Sequence, residues 1–172
     1  IAVANRSANT VSVLRNTNTT LGTIAFATNQ DFTTGTSPRS VAIGDLDGDG
    51  KADLVVVNQT ANSVSVFRNT SSIGSIVTGS FAAKQDFAAG SFPFSVAIGD
   101  LDGDGKLDLV VANYTSNNVS ILRNTSNTVG TISFAAKQDF GTGVAPFSVA
   151  IGDLDGDGKL DLAAANFNVN TL

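Results

Sequence analysis

The sequence contains no cysteine, histidine, methionine, tryptophan or glutamate, and Tyr114 is its only tyrosine. Without cysteine there are no disulfide staples and no thiolate nucleophiles. Without histidine as well, zinc clusters and Ser-His-Asp triads are excluded. Cations are few: ten Lys and Arg face fifteen acids, a formal net charge of −5, which argues against nucleic acid and anionic membrane surfaces as partners. No apolar run approaches the roughly 18 residues of a membrane-spanning helix, so membrane insertion is not expected. No window sustains helical periodicity either.

What is present is a repeat. Asp45, Asp100 and Asp153 occupy equivalent places, so the period is 55 and then 53 residues. Residues 94–109 and 147–162 are identical, and "FAAKQDF" begins at both Phe81 and Phe134, with "FATNQDF" at Phe26 as the divergent copy. "IAVANRSANTVSVLRNT" from Ile1 matches "LVVVNQTANSVSVFRNT" from Leu54, and "LAAANFNVNTL" from Leu162 closes the chain at nearly the phase where it begins. Each period reads as four short strands: "FSVAIGD" (94–100), "DLVVAN" (108–113), "NVSILRN" (118–124) and a more polar, outermost "ISFAAKQDF" (132–140). The second of these is apolar on both faces, as a strand between two layers must be. Four strands cannot cover both faces of their own sheet, so the units are expected to stack on one another. The expectation is an all-β, propeller-type array of four-stranded antiparallel blades. It divides into a partial blade at 1–38 (strands 2–4), blades at 39–93 and 94–146, and a partial blade at 147–172 (strands 1–2).

Twelve of the fifteen aspartates lie in three knots. They are Asp45, Asp47, Asp49 and Asp53; Asp100, Asp102, Asp104 and Asp108; and Asp153, Asp155, Asp157 and Asp161. Carboxylates held within about 5 Å of one another repel by about 1–3 kcal/mol per pair, so a counter-ion is required. Hard oxygen donors without His or Cys select a hard divalent cation, and a flexible loop of oxygens suits Ca²⁺ better than Mg²⁺. Carboxylates at loop positions 1, 3, 5 and 9 are read as ligands. Gly50, Gly105 and Gly158 at position 6 permit the bend. The backbone carbonyls of Lys51, Lys106 and Lys159 at position 7 complete the set, their ammonium groups turned to water. An EF-hand would continue to a bidentate Glu at position 12, where this chain has Val56, Val111 and Ala164. Solvated acidic turns explain one such copy as well as a metal does; three copies, each set between strands, argue for three Ca²⁺ sites.

The motif "P-x-S-V-A-I-G-D-L-D-G-D-G-K-x-D-L" at Pro38, Pro93 and Pro146, with "DFGTGVAP" at 139–146 and its variants "DFTTGTSP" and "DFAAGSFP", resembles the bacterial FG-GAP/VCBS repeat family, whose blades are similar to those of the integrin α-subunit propeller. The resemblance spans essentially the whole chain. It implies a β-propeller with Ca²⁺ in the loop between the first two strands of each blade. It leaves function open, because the family includes adhesins, lectin-like proteins, enzyme-linked modules and uncharacterised secreted proteins. Three blades are too few to close a ring. The expectation is therefore further blades in a longer polypeptide, or self-association in which chains complete one another as a ring or filament.

The function expected is a calcium-binding, non-enzymatic extracellular scaffold or adhesion module. Affinity without the position-12 Glu suits media with millimolar Ca²⁺. The alternative is a lectin-like, carbohydrate-binding propeller, with Phe92, Phe94 and Phe147 beside the first strand as candidate cleft residues; their plainer role is packing between blades. An enzyme is not expected, since no reactive group breaks the repeat symmetry. Glycosylation sequons fall at Asn5, Asn18, Asn58, Asn69, Asn113, Asn118 and Asn124. Arg15, Arg68 and Arg123 recur at the end of the third strand and read as local salt bridges or caps for nearby turn carbonyls.

Overall fold

The computed structural model describes residues 1–167 and holds thirteen strands in four antiparallel sheets. The first sheet comprises β1 (Ala2–Asn5), β2 (Thr10–Val13) and β3 (Gln30–Thr33). The second comprises β4 (Pro38–Gly44), β5 (Asp53–Asn58), β6 (Ser63–Phe67) and β7 (Gln85–Ala88). The third repeats that pattern as β8 (Pro93–Gly99), β9 (Asp108–Asn113), β10 (Asn118–Leu122) and β11 (Gln138–Gly141). The fourth comprises β12 (Pro146–Gly152) and β13 (Asp161–Asn166). Neighbours in sequence are neighbours in each sheet, so every sheet is a simple meander. The molecule is thus all-β, with open sheets like incomplete propeller blades. Residues 168–172 of the expected last blade lie outside the described residues.

The sheets stack through the strands that read as apolar on both faces. Leu109 and Val111 of β9 join Val55, Val57, Val64 and Val66 in the core between the second and third sheets. Val110 and Ala112, one residue out of phase, pack with Val119 and Val149 in the core toward the fourth sheet. Leu54 and Val56 likewise meet Val11 and Phe32 of the first sheet. Alternation within one strand therefore feeds two cores, each fully buried valine contributing about 1.5–3 kcal/mol. The first strands β4, β8 and β12 lie beside one another along one side of the stack.

The fourth strand is shorter than the sequence suggests. Ladder pairing covers only Gln138–Gly141, and Phe134 makes an isolated bridge to Asn124. Phe134 is held by packing instead, edge-on to Phe87 of the preceding sheet at 5.0 Å between ring centroids.

The Gly of each "G-x-x-P" stretch has a steric cause. A Cβ at Gly35, Gly90 or Gly143 would fall 2.7, 2.5 or 2.6 Å from the side chain of Asn58, Asn113 or Asn166. Gly35 and Gly90 donate their N–H groups to the Oδ1 of Asn58 and Asn113. Those asparagines in turn donate to Ser65 and Ser120, which donate to Asp86 and Asp139. Asn5, Ser12 and Asp31 repeat the relay in the first sheet. Asn58, Asn113 and Asn124 are thus fully buried and hydrogen-bonded through their Nδ2 atoms, so at these three sequons the asparagine serves the fold. The Asn18 sequon is exposed, and those at Asn5, Asn69 and Asn118 are half-buried.

Candidate metal centres

Each aspartate knot forms the loop between the first and second strands of its sheet, at 45–52, 100–107 and 153–160, with its last Asp opening the second strand. Asp45 shapes the first loop from inside: its Oδ1 accepts the N–H of Gly48 at 2.8 Å and its Oδ2 that of Gly50 at 2.8 Å. Asp100 and Asp153 do the same for Gly103 and Gly105, and for Gly156 and Gly158. Asp53 ties the loop to the sheet, accepting the N–H groups of Leu46 at 2.9 Å and Asn69 at 2.8 Å. Asp108 holds Leu101 and Asn124 in the same way.

Carboxylate oxygens of Asp45, Asp47 and Asp53 lie within 4.8 Å of one another. Asp100, Asp102 and Asp108 form an equivalent triad, and so do Asp153, Asp155 and Asp161. Loop positions 1, 3 and 9 are thus brought together. Position 5 is not: Asp49, Asp104 and Asp157 instead accept the backbone N–H of Lys51, Lys106 and Lys159. The ammonium groups of Lys106 and Lys159 lie at the surface, paired with Asp104 and Asp157 at 3.2 and 2.9 Å.

The electrostatics separate the two kinds of carboxylate. Burial pushes the Asp53 carboxyl up to about 6 against two backbone hydrogen bonds, and the charges of Asp47 and Asp45 push the same way. Burial raises Asp108 likewise. Asp104 is held low, chiefly by the Lys106 N–H, and Asp157 chiefly by the Lys159 side chain. The decisive atom is Asp47 Oδ2, which is buried and has no hydrogen-bond partner. Its nearest cation is the Arg68 guanidinium, 3.9 Å away. An orphaned carboxylate oxygen beside two further acids is costly unless a cation sits among them. All the donors are hard oxygens, so the residues fit a hard divalent cation. Three triads could each hold a metal ion.

Two features were not singled out in the sequence. Position 4 of each loop needs glycine as much as position 6 does: Gly48, Gly103 and Gly156 all have φ between +73° and +81°. The loops are also covered from the next sheet. Asn124 Nδ2 donates to the Leu46 carbonyl at 2.8 Å, a clasp between the third sheet and the first loop. Arg68 and Arg123 fill the role expected for them, each near the position-3 aspartate of its own sheet, with Arg123 3.7 Å from Asp102.

Three of the four β-meander sheets carry an aspartate triad on the loop between their first two strands, an array of blade-like sheets whose loops could hold metal. The FG-GAP-like repeat matches three times, over residues 1–56, 45–111 and 100–164, and the chain belongs to that family. No match is found among curated proteins. Among solved structures, one similar chain is a functionally unknown protein from Desulfotomaculum acetoxidans DSM 771, at 15% identity and a TM-score of 0.41. The match covers 88% of the present chain and 55% of that one, so the chain spans about half of its length.

Proposed function

We propose that the chain is a calcium-binding, non-enzymatic scaffold or adhesion module that works outside the cell, its blades pinned by Ca²⁺ in the three loops. The observation that carries this is the buried, unpartnered Asp47 Oδ2 within a triad that the chain repeats three times. In each loop the carboxylates at positions 1, 3 and 9 would hold the ion, with position 5 and the position-7 carbonyl of Lys51, Lys106 or Lys159 as further oxygen donors. Bound Ca²⁺ would neutralise the clustered charge and fix the first strand against the second. Loops lacking a bidentate Glu suit the millimolar Ca²⁺ of extracellular fluid. Membership of the FG-GAP-like family supports the same setting, and no helix of the described residues is long and apolar enough to cross a membrane. No catalytic role is proposed, because the acids recur in equivalent places and no reactive group breaks the repeat. The part-exposed faces of β12 and β13 support packing against a further sheet, from a longer chain or a second copy.

The test is calorimetric titration of chelated protein with Ca²⁺, read beside thermal melting. The expected outcome is three bound ions per chain and a melting temperature that rises with Ca²⁺. No heat and no thermal shift at millimolar Ca²⁺ would overturn the proposal.

A further inference from the structure

The face opposite the metal loops carries a second kind of site. Each first strand begins with a β-bulge, where the register shifts between Pro38 and Ser40, Pro93 and Ser95, and Pro146 and Ser148. The residues in the bulges are Arg39, Phe94 and Phe147, and a bulge re-aims the side chain it carries. These three side chains converge. The Arg39 guanidinium lies 4.0 Å from the Phe94 ring centroid and 5.7 Å from that of Phe147, and the two rings are 4.9 Å apart. With Arg6 they line an open cavity of about 420 Å³, within the range of small-ligand sites. Ser95 and Ser148 lie on the same wall.

Two facts mark it as a site rather than packing. The chain is net negative, yet this cavity holds two arginines, and neither forms an ion pair with a carboxylate of the described residues. Arg6 donates one hydrogen bond, to Gln59 at 3.0 Å. Burial, and then the like charge of Arg6, lower the Arg39 pKa. Phe147 keeps 43% of its surface exposed on the cavity's rim.

We infer that this cavity binds an acidic saccharide, a sugar ring bearing a carboxylate. The paired guanidinium groups take the carboxylate, in the planar, forked geometry that arginine favours. The exposed part of Phe147, whose ring also packs against Phe94 and Phe167, meets the apolar C–H face of the sugar, and the serine hydroxyls lining the cavity match sugar hydroxyls. This inference does not rest on the calcium proposal. The seven-residue first strand sets cavity and metal loop about 20 Å apart.

The experiment is calorimetry of the whole chain in Ca²⁺ with a galacturonate trimer, its fully methyl-esterified counterpart and a hexa-aspartate peptide. The acidic trimer is expected to bind saturably at millimolar concentration, at least about tenfold more tightly than the neutral ester. Arg39→Gln is expected to remove most of that difference, and Phe147→Leu to weaken both sugars several-fold, with the Ca²⁺ titration and melting temperature of each variant unchanged. Equal binding of trimer and ester, indifference to Arg39→Gln, or no binding would overturn the site. Indifference to Phe147→Leu, or tighter binding of the peptide, would overturn the sugar as its ligand in favour of charge alone or an acidic protein segment. Should a variant alter melting, Arg6→Gln, at an exposed position, provides the same test of charge.

Discussion

Asp102 accepts a hydrogen bond only from the N–H of Asp104 in its own loop, lies exposed there, and contributes an oxygen to the second triad. Asp102→Ala is therefore expected to lower Ca²⁺ affinity at one of three sites while leaving the fold intact, a stoichiometry change that calorimetry reads directly. Gly90→Ala acts through sterics instead. A Cβ 2.5 Å from Asn113 forces a shift in a fully buried, hydrogen-bonded side chain, and a loss of about 2–3 kcal/mol in denaturant unfolding is expected. The relay gives a pH dependence. At Asp86 burial opposes ionisation, but hydrogen bonds from Lys84 and Ser65 outweigh it and hold the pKa below its ordinary value. Asp139 is held low by Lys137 and Ser120. A depressed carboxyl contributes stability that is complete above the unfolded pKa of about 3.9 and is lost as pH falls through the folded value. Ser65→Ala should therefore move the onset of acid unfolding to higher pH, as followed by circular dichroism. At this scale the sequence showed the loop acids and their spacing, because repetition made them visible. It did not show the relay, since Asn58, Ser65 and Asp86 sit on three different strands and meet only through register.

At the scale of the element, the second strand is the unit that binds the array. β5 and β9 are buried along their whole length because each feeds two cores. Val111→Ala should cost about 2–3 kcal/mol in denaturant unfolding, more than the same change at half-exposed Val41. The ends of "DLVVAN" were legible in the sequence, where a doubly apolar run is bounded by Asp and Asn. The fourth strand was not. "ISFAAKQDF" alternates well enough to read as one strand, yet its phenylalanine is claimed by the neighbouring sheet and only the last residues join the ladder. Tertiary packing overrode local pattern there. The bulges were equally hidden: Phe94 and Phe147 stood out as candidate cleft residues, but nothing in the pattern says that they and Arg39 leave the ladder to face one another.

Across the whole molecule, the cover over the loops falls off along the chain. Leu46, in the first loop, is 2% exposed and Leu154, in the third, is 72% exposed. The difference is made by the following sheet, through contacts such as the Asn124 clasp on Leu46. Asn124→Ala should weaken Ca²⁺ binding at the first loop, 78 residues away in sequence from the clasped carbonyl, as well as at its own. The clasp also makes neighbours interdependent: a side chain of one sheet grips the loop of the sheet before it, so a disturbance in one repeat is passed to the next and does not stay where it began.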